Sequence, residues 1–119
     1  MNIKKVSEQT GVSADTIRYY ERIGLLPRVR RNKSGVRDFS EQDIAALEFI
    51  RCFRSAGISV ESLIEYMSLV EEGEGTEKAR MKILEEQREK LISRIAELQA
   101  AKERLDYKIE NYKKLILKN

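Results

Sequence analysis

The segment 77–118 constrains the fold most, because it contains neither glycine nor proline and repeats an apolar residue every seven positions. This spacing is the d series of a coiled-coil heptad. The series consists of Leu84, Leu91, Leu98, Leu105 and Tyr112. The a positions hold Met81, Ile95, Ile109 and Ile116, interrupted by Arg88 and Lys102. A helix of this length extends roughly 60 Å. It is too long to bury its stripe on the small remainder of the chain, so we expect a homodimer through this helix.

Charged positions beside the seam bear on how two such helices pair. In a parallel pair, g positions face the following e′ positions of the partner. Arg80 would then meet Glu85 favourably, but Lys108 would meet Lys113. The sequence therefore does not favour the parallel arrangement. The alternative of a lone solvated helix would leave the leucine seam in water.

Basic residues are concentrated in the N-terminal half of the chain. Residues 1–58 hold 11 Lys and Arg against 7 Asp and Glu, a net charge of 11 − 7 = +4, whereas residues 59–119 hold 12 against 13, a net charge of −1. A basic module indicates a polyanionic partner, most often nucleic acid. An ordinary solvated surface is the competing interpretation.

Several functional classes are excluded by composition. The chain has no histidine and one cysteine, which rules out a Ser-His-Asp or Cys-His nucleophile, a histidine-ligated metal site and an internal disulfide. Nothing assembles a nucleophile with a base or a glycine-rich phosphate loop, so we expect no enzyme, no metal and no cofactor. No apolar run has the length of a membrane span and no signal peptide precedes the chain, so we expect a cytoplasmic protein without membrane contact.

Four shorter helices are predicted upstream, each beginning at a capping side chain. They cover about 3–10, 14–23, 41–56 and 60–71, and are capped by Asn2, Ser13, Ser40 and Ser59. Ser40 and Asp43 resemble a capping box. The inward residues expected of the third helix are Ala46, Phe49, Ile50 and Phe53, and those of the fourth are Val60, Leu63, Ile64, Met67 and Val70. The first two helices, separated by about three residues, form a helix-turn-helix candidate.

The second helix contains two adjacent tyrosines with different predicted environments. Arg18 and Tyr19 share one face with Asp15, whereas Tyr20 lies on the side of Ile17. We therefore predict that Tyr20 packs on the core and that Arg18 and Tyr19 face a phosphate or base edge. The competing interpretation is structural, with Arg18 paired to Asp15 and Tyr19 covering a surface hydrophobe.

Residues 28–39, here called the wing segment, break the helical pattern and are predicted to form a small hairpin. Their cations are Arg28, Arg30, Arg31, Lys33 and Arg37, opposed only by Asp38. The predicted fold is thus dominated by α-helix, with a winged helix-turn-helix domain (1–71), a hinge (72–76) and a dimerisation coiled-coil helix (77–119). In such folds a helix enters the major groove and the wing follows the backbone. Arg30, Arg31 and Lys33 are accordingly candidate DNA contacts.

The runs TIRYYERIGLLP and SGVRDFSEQDIAALEFIRCFRSAGIS, followed by the long helix, resemble the MerR family of bacterial transcription regulators. The resemblance implies an antiparallel homodimer on a pseudo-palindromic promoter with an overlong spacer. The effector-bound dimer would deform this double-stranded DNA so that RNA polymerase can use it, which is indirect readout. An excisionase-like accessory protein is the alternative, but it would give no reason for the leucine seam.

The same resemblance implies roles for individual residues. Arg18 and Tyr19 would contact DNA, Tyr20 would support them or touch phosphate, and Arg37 would act from the wing. Ser13 and Thr16 would lie near phosphate or bases. Val36 stands where the family commonly has an aromatic residue, and Phe39 stands in place of a tyrosine.

The effector is addressed by one residue, Cys52. Residues 71–85 contain no cysteine, so a thiolate metal site of the family's metal sensors is not expected, nor is the ligand domain of its drug sensors. Cys52 resembles the lone cysteine of the branch responsive to aldehydes, electrophiles or nitrosative stress (AdhR/NmlR-like). Two hypotheses remain open: a sensor thiol, or a buried, inert cysteine beside Phe49 and Phe53.

Overall fold

The computed structural model describes residues 1–118 and contains five α-helices within them. These are α1 (Ile3–Thr10), α2 (Ala14–Arg22), α3 (Glu41–Ser55), α4 (Val60–Glu72) and α5 (Glu77–Lys118). The chain divides into two compact units, one comprising residues 1–83 and the other beginning at Leu84. Asn119, the last residue of the predicted C-terminal segment, lies outside the described residues.

The first four helices begin at the predicted capping side chains. Asn2 Oδ1 accepts the Lys5 amide at 2.9 Å, and Ser59 Oγ accepts the Ser62 amide at 3.1 Å. Ser40 and Asp43 exchange reciprocal side-chain to backbone hydrogen bonds, which confirms the capping box. These bonds satisfy amides that have no partner inside the helix, and so they determine where each helix starts.

A tight turn joins α1 to α2. Gly11 adopts a left-handed backbone with φ of 77°, and its amide donates to the carbonyl of Ser7 at 2.9 Å. A side chain would be strained at this φ, and a Cβ there would lie 3.4 Å from Nη2 of Arg51. Glycine at this position therefore permits the short connection of the helix-turn-helix.

The core of the N-terminal unit gathers side chains from α1, α2, α3 and the segment after α2. Its fully buried members are Val6, Ile17, Leu25, Leu26, Leu47 and Ile50. The burial of Leu25 and Leu26 follows from the chain's path, since both their amides donate to the carbonyl of Tyr20 at 3.0 Å. This turn ends α2 and delivers two adjacent leucines into the core.

The predicted inward face of α3 was only partly right. Ile44, Leu47 and Ile50 are its buried residues, whereas Ala46, Phe49 and Phe53 are half-buried and pack on the core from outside. The row at i, i+3 and i+6 faces the core, so the aromatic residues lie one position away from it. They form their own cluster instead, listed here by ring-centroid distance: Phe49 to Phe53 at 4.6 Å, and Phe49 stacked on Tyr66 at 5.3 Å.

Helix α4 follows its prediction except at its last turn. Leu63 and Met67 are buried, and Val60 and Ile64 are half-buried against the core. Val70 was predicted to face inward, but 38% of it is exposed. The apolar face of α4 is therefore in contact with the core over its first two turns.

The predicted two-stranded hairpin of the wing segment does not form as strands in the residues that the structure describes. A single antiparallel bridge joins Arg31 to Arg37. The Asn32 amide donates to the Val36 carbonyl at 2.8 Å, and Oδ1 of Asn32 accepts two further amides in the turn. The segment is short and its tip is exposed, so no packed face supports a longer ladder.

Helix α5 has no buried residue along its described length. Of the predicted seam, Leu91 is half-buried and the other d and a residues are exposed, for example Leu98 at 60% and Leu105 at 63%. Among residues 1–118, no helix is both long enough and apolar enough to cross a membrane.

Candidate nucleic-acid interface

The N-terminus of α2 is formed by Ser13 and Thr16, two of the predicted contact residues. Ser13 Oγ accepts the Thr16 amide at 3.1 Å and donates to Thr16 Oγ1 at 2.8 Å. Ser13 is exposed and Thr16 is half-exposed. The pair has a capping role, and the amides of this helix end and the two hydroxyls are polar groups that an anion can approach.

Arg18 projects from α2 and pairs with Asp15. Its Nη1 lies 2.9 Å from Asp15 Oδ1, which is the pairing that the structural interpretation expected. The arginine side chain is 47% exposed and the aspartate 96% exposed. Exposed pairs of this kind contribute about 0.2–1 kcal/mol. The guanidinium can therefore exchange its carboxylate for a phosphate or a base edge at little cost.

The two tyrosines of α2 lie in the different environments that were predicted. Tyr19 is 44% exposed, and the guanidinium carbon of Arg22 lies 5.3 Å from its ring centroid. Tyr20 is half-buried and packs against the core. Their ring centroids are 6.1 Å apart. The cation–π contact joins Tyr19 to Arg22 on the solvent face, so an aromatic ring and two guanidinium groups lie there together.

The predicted wing cations fall into two groups. Arg30 and Lys33 are exposed. Arg31 Nη1 donates to the Gly35 carbonyl at 3.0 Å, which steadies the turn. Arg37 is half-buried, with 22% of its side chain exposed, and its Nε donates to Glu21 Oε1 at 2.8 Å. Arg31 and Arg37 thus have defined geometries, whereas Arg30 and Lys33 extend into solvent.

A basic cleft lies between α2 and the wing segment. It encloses about 470 Å³ and is lined by Arg18, Glu21, Arg22, Arg28, Arg31 and Arg37. Three of these arginines, Arg18, Arg31 and Arg37, were predicted contact residues. Five guanidinium groups around one carboxylate make the cleft a site for a polyanion, and guanidinium groups bind phosphate through paired N–H donors.

Sequence reasoning did not assign roles to Arg22, Arg28 and Glu21. Two signals were available, since Arg22 lies one helical turn after Arg18 and Arg28 belongs to the charged wing segment. Glu21 gave no comparable signal, because its contacts are with residues 8 and 16 positions away.

Glu21 is ionised between two partners. Burial acts to raise its pKa, but the Val29 amide and the Arg37 guanidinium, with the charge of Arg31, outweigh burial and hold the pKa below its ordinary value of 4.5. A carboxylate with a lowered pKa stabilises the fold fully above its unfolded-state value. This contribution is lost as pH falls through the lower value of the folded state.

Cys52 is exposed, so the interpretation of a buried, inert cysteine is wrong for the chain by itself. The side chain lies on α3 one position away from the buried Ile50–Leu47 row. Its two neighbouring arginines are engaged elsewhere: Arg54 Nη1 donates to the Ile58 carbonyl at 2.6 Å, and Arg51 lies beside Gly11.

The predicted dimerisation residues lie along α5 in heptad register. They are Leu84, Leu91, Ile95, Leu98, Leu105, Ile109 and Tyr112. Their exposed fractions lie between 40% at Leu84 and 63% at Leu105, with Leu91 half-buried. This is a continuous apolar stripe on a helix whose other positions are mostly charged or polar.

Comparison with known proteins agrees with this arrangement. Residues 1–69 match the family of MerR HTH family regulatory proteins, and residues 44–107 match a second model described as MerR, DNA binding. The transcriptional regulator AdhR of Bacillus subtilis (strain 168) is 53% identical over 77% of this chain and 66% of its own length. An HTH-type transcriptional regulator of Haemophilus influenzae is 33% identical over 92% of this chain and 82% of its own.

A solved structure with a bound ligand is also similar. HiNmlR, a MerR family regulator lacking the sensor domain, was crystallised bound to promoter DNA, and it is 32% identical with a TM-score of 0.86 over 95% of this chain and 90% of that one. The family match covers more than half of the chain, and both the helix-turn-helix and the long C-terminal helix have counterparts of known structure. The chain belongs to the MerR family of DNA-binding transcriptional regulators.

Proposed function

We propose that the protein is a homodimeric, sequence-specific regulator that binds promoter DNA through α2 and the wing segment. The observation that carries this proposal is the basic cleft, in which five arginines converge beside an exposed helix-turn-helix. The similarity to a family member crystallised on promoter DNA supports the same surface. In this proposal residues 1–71 bind DNA, 72–76 act as a hinge and 77–119 dimerise.

Contacts within the site divide by chemistry. Arg18 and Tyr19 project from the recognition helix α2 and reach base edges or phosphates, while Tyr20 holds that helix on the core. The wing cations contact phosphates. Together the proposed contact residues are Ser13, Thr16, Arg18, Tyr19, Tyr20, Arg30, Arg31, Lys33 and Arg37.

Dimerisation is supported by the apolar stripe of α5. Leu98, Leu105 and the neighbouring seam residues are exposed in the single chain, and a second copy offers an identical stripe. Burying each such side chain contributes about 1.5–3 kcal/mol. We propose an antiparallel pair, because the parallel one would bring Lys108 against Lys113.

The two DNA-binding units of a dimer would engage the two halves of a pseudo-palindromic promoter. Bending and untwisting an overlong spacer would let RNA polymerase reach both of its recognition elements, so the polymerase would respond to DNA shape rather than to a direct contact. Such a regulator acts in the cytoplasm, where promoter DNA is found.

Replacement of Arg18 or Arg37 by alanine is expected to weaken DNA binding without changing dimer stability. Each loses a charge-assisted contact worth about 1.5–3 kcal/mol, hence about tenfold or more in affinity. A lost phosphate contact also lowers the salt slope of binding by about 0.9. The measurement is titration of the promoter duplex, found by footprinting upstream of the protein's own and adjacent genes. Unchanged affinity of both variants at physiological salt would contradict the proposed site.

Cys52 is proposed as the sensor thiol for an aldehyde or another electrophile. Its exposure on α3 leaves Sγ accessible to a small reagent. We expect Cys52→Ala to bind promoter DNA as tightly as the parent protein but to lose transcriptional induction by aldehyde. Cys52→Ser serves as the matched control, since it keeps a hydroxyl of similar size without the nucleophilic thiolate. A promoter assay in which Cys52→Ala retained full induction would eliminate this role.

A further inference from the structure

Glu21 connects the recognition helix α2 to the wing segment. It lies in the last turn of α2, and only 11% of its side chain is exposed. Oε2 accepts the Val29 amide at 2.7 Å, and Oε1 accepts Arg37 Nε at 2.8 Å. One carboxylate therefore holds the chain at both ends of the wing segment, 8 and 16 residues further along.

The chemistry of this contact favours a fixed geometry. Both carboxylate oxygens accept hydrogen bonds, one of them from a charged donor, and such bonds are short and directional. Val29 itself is buried, with 2% of the residue exposed, so its amide is a rigid point of attachment. Leaving a half-buried carboxylate without these donors would be costly. The wing segment is thus held to α2 although it lacks a strand ladder.

The geometry at Arg37 separates two uses of one guanidinium. Its contact with Glu21 is made through Nε. The two terminal nitrogens remain at the other end of the planar group, where a guanidinium binds phosphate through two parallel N–H donors. Arg37 also lines the basic cleft with Arg18 and Arg31. A lysine could not serve both partners in this way, since it carries a single charged nitrogen.

We propose that Glu21 is a positioning residue for DNA binding, which aims the terminal nitrogens of Arg37 at a backbone phosphate and fixes the wing segment relative to α2. This inference rests on the proposed function of the cleft. Glu21 touches no DNA itself and acts through Arg37 and through the backbone at Val29.

The sign of the effect distinguishes positioning from simple charge. Glu21 is the one acidic side chain among the residues lining the basic cleft. If it acted only through its charge, neutralising it would strengthen the attraction of DNA. If it positions Arg37, neutralising it weakens binding although the net charge becomes more positive.

The test is Glu21→Gln in the full chain, titrated against a mixed-sequence DNA duplex over a range of salt concentrations. Phosphate contacts are independent of sequence, so this probe is sufficient. We expect about tenfold weaker binding and a salt slope smaller by about 0.9. In an Arg37→Ala background the same substitution should cause no additional loss, because the residue it positions is absent.

Asp15→Asn is the matched control, since it removes a carboxylate that pairs with Arg18 on the same helix but is 96% exposed. It should leave affinity equal or raise it. Arg37→Lys provides a second variant that keeps the charge; we expect it to bind several-fold more weakly, as a single ammonium cannot serve both Glu21 and phosphate. Circular dichroism verifies that each variant is folded.

Two outcomes would overturn the inference: Glu21→Gln binding as tightly as the parent with the same salt slope, or a full additional loss in the Arg37→Ala background. Parent-like affinity of Arg37→Lys would do so as well. Failure of the proposed function is distinguishable, because Arg18→Ala and Arg37→Ala would then bind like the parent protein.

Discussion

Replacing both Leu91 and Leu98 with glutamate is expected to give a folded monomer that binds promoter DNA poorly. The double substitution removes four leucines from the seam of a dimer, which is about 6–12 kcal/mol of apolar burial. It also places like charges in the seam. Because each 1.4 kcal/mol is about a factor of ten, dimerisation should weaken by at least roughly four orders of magnitude.

The loss of DNA affinity follows from the loss of the second DNA-binding unit. A monomer contacts one half-site, so we expect binding to fall by about a thousandfold or more, toward the non-specific level. Sedimentation gives the oligomeric state, and titration of the promoter duplex gives the affinity. The N-terminal unit should remain folded, because its core is formed by its own residues.

A control carries the same added charge on the opposite face of α5. Ser93→Glu with Ala100→Glu changes two exposed residues at f positions of the heptad, away from the seam. This variant should remain dimeric and bind DNA with at most a modest loss. An intact dimer in the Leu91→Glu, Leu98→Glu variant would refute the coiled-coil interface.

The second large effect is expected in α2, where adjacent residues have separable roles. Ile17 is fully buried, and Ile17→Ala should lower the free energy of unfolding by about 2–5 kcal/mol through lost burial and a residual cavity. Domains of this size have a total stability of about 5–15 kcal/mol. Urea unfolding should therefore show a large shift of the midpoint.

Arg18→Ala is the matched comparison on the next residue. The arginine is 47% exposed and its only printed partner is the exposed Asp15. Its removal should change the free energy of unfolding by less than about 1 kcal/mol, while DNA affinity falls. Equal stability losses for Ile17→Ala and Arg18→Ala would contradict the assignment of one residue to the core and the other to the DNA surface.

Local signals carried the sequence-based predictions that were confirmed. The caps at Asn2, Ser13, Ser40 and Ser59 were identifiable because each hydrogen bond joins residues three positions apart. The different environments of Tyr19 and Tyr20 followed from the angle between successive residues on a helix. The heptad of α5 was likewise written in spacing alone.

Other features depended on how distant segments meet. The helical period placed Phe49 and Phe53 on the inner face of α3, but Ile44 and Leu47 are the residues that face the core. Periodicity defines a stripe only to within about one residue's rotation, and packing against α1 and α2 selects its centre. The wing segment had the composition of a hairpin, yet one bridge forms where no neighbouring strand supports a ladder.

The sequence by itself determined the helices, their starting residues, the seam of α5 and the concentration of positive charge near α2, because these depend on contacts within one or two helical turns. Only the tertiary structure decided that Cys52 is exposed and that Glu21 joins Val29 and Arg37. Those contacts bring together residues far apart in the chain, and no local spacing encodes the path that the intervening segment takes between them.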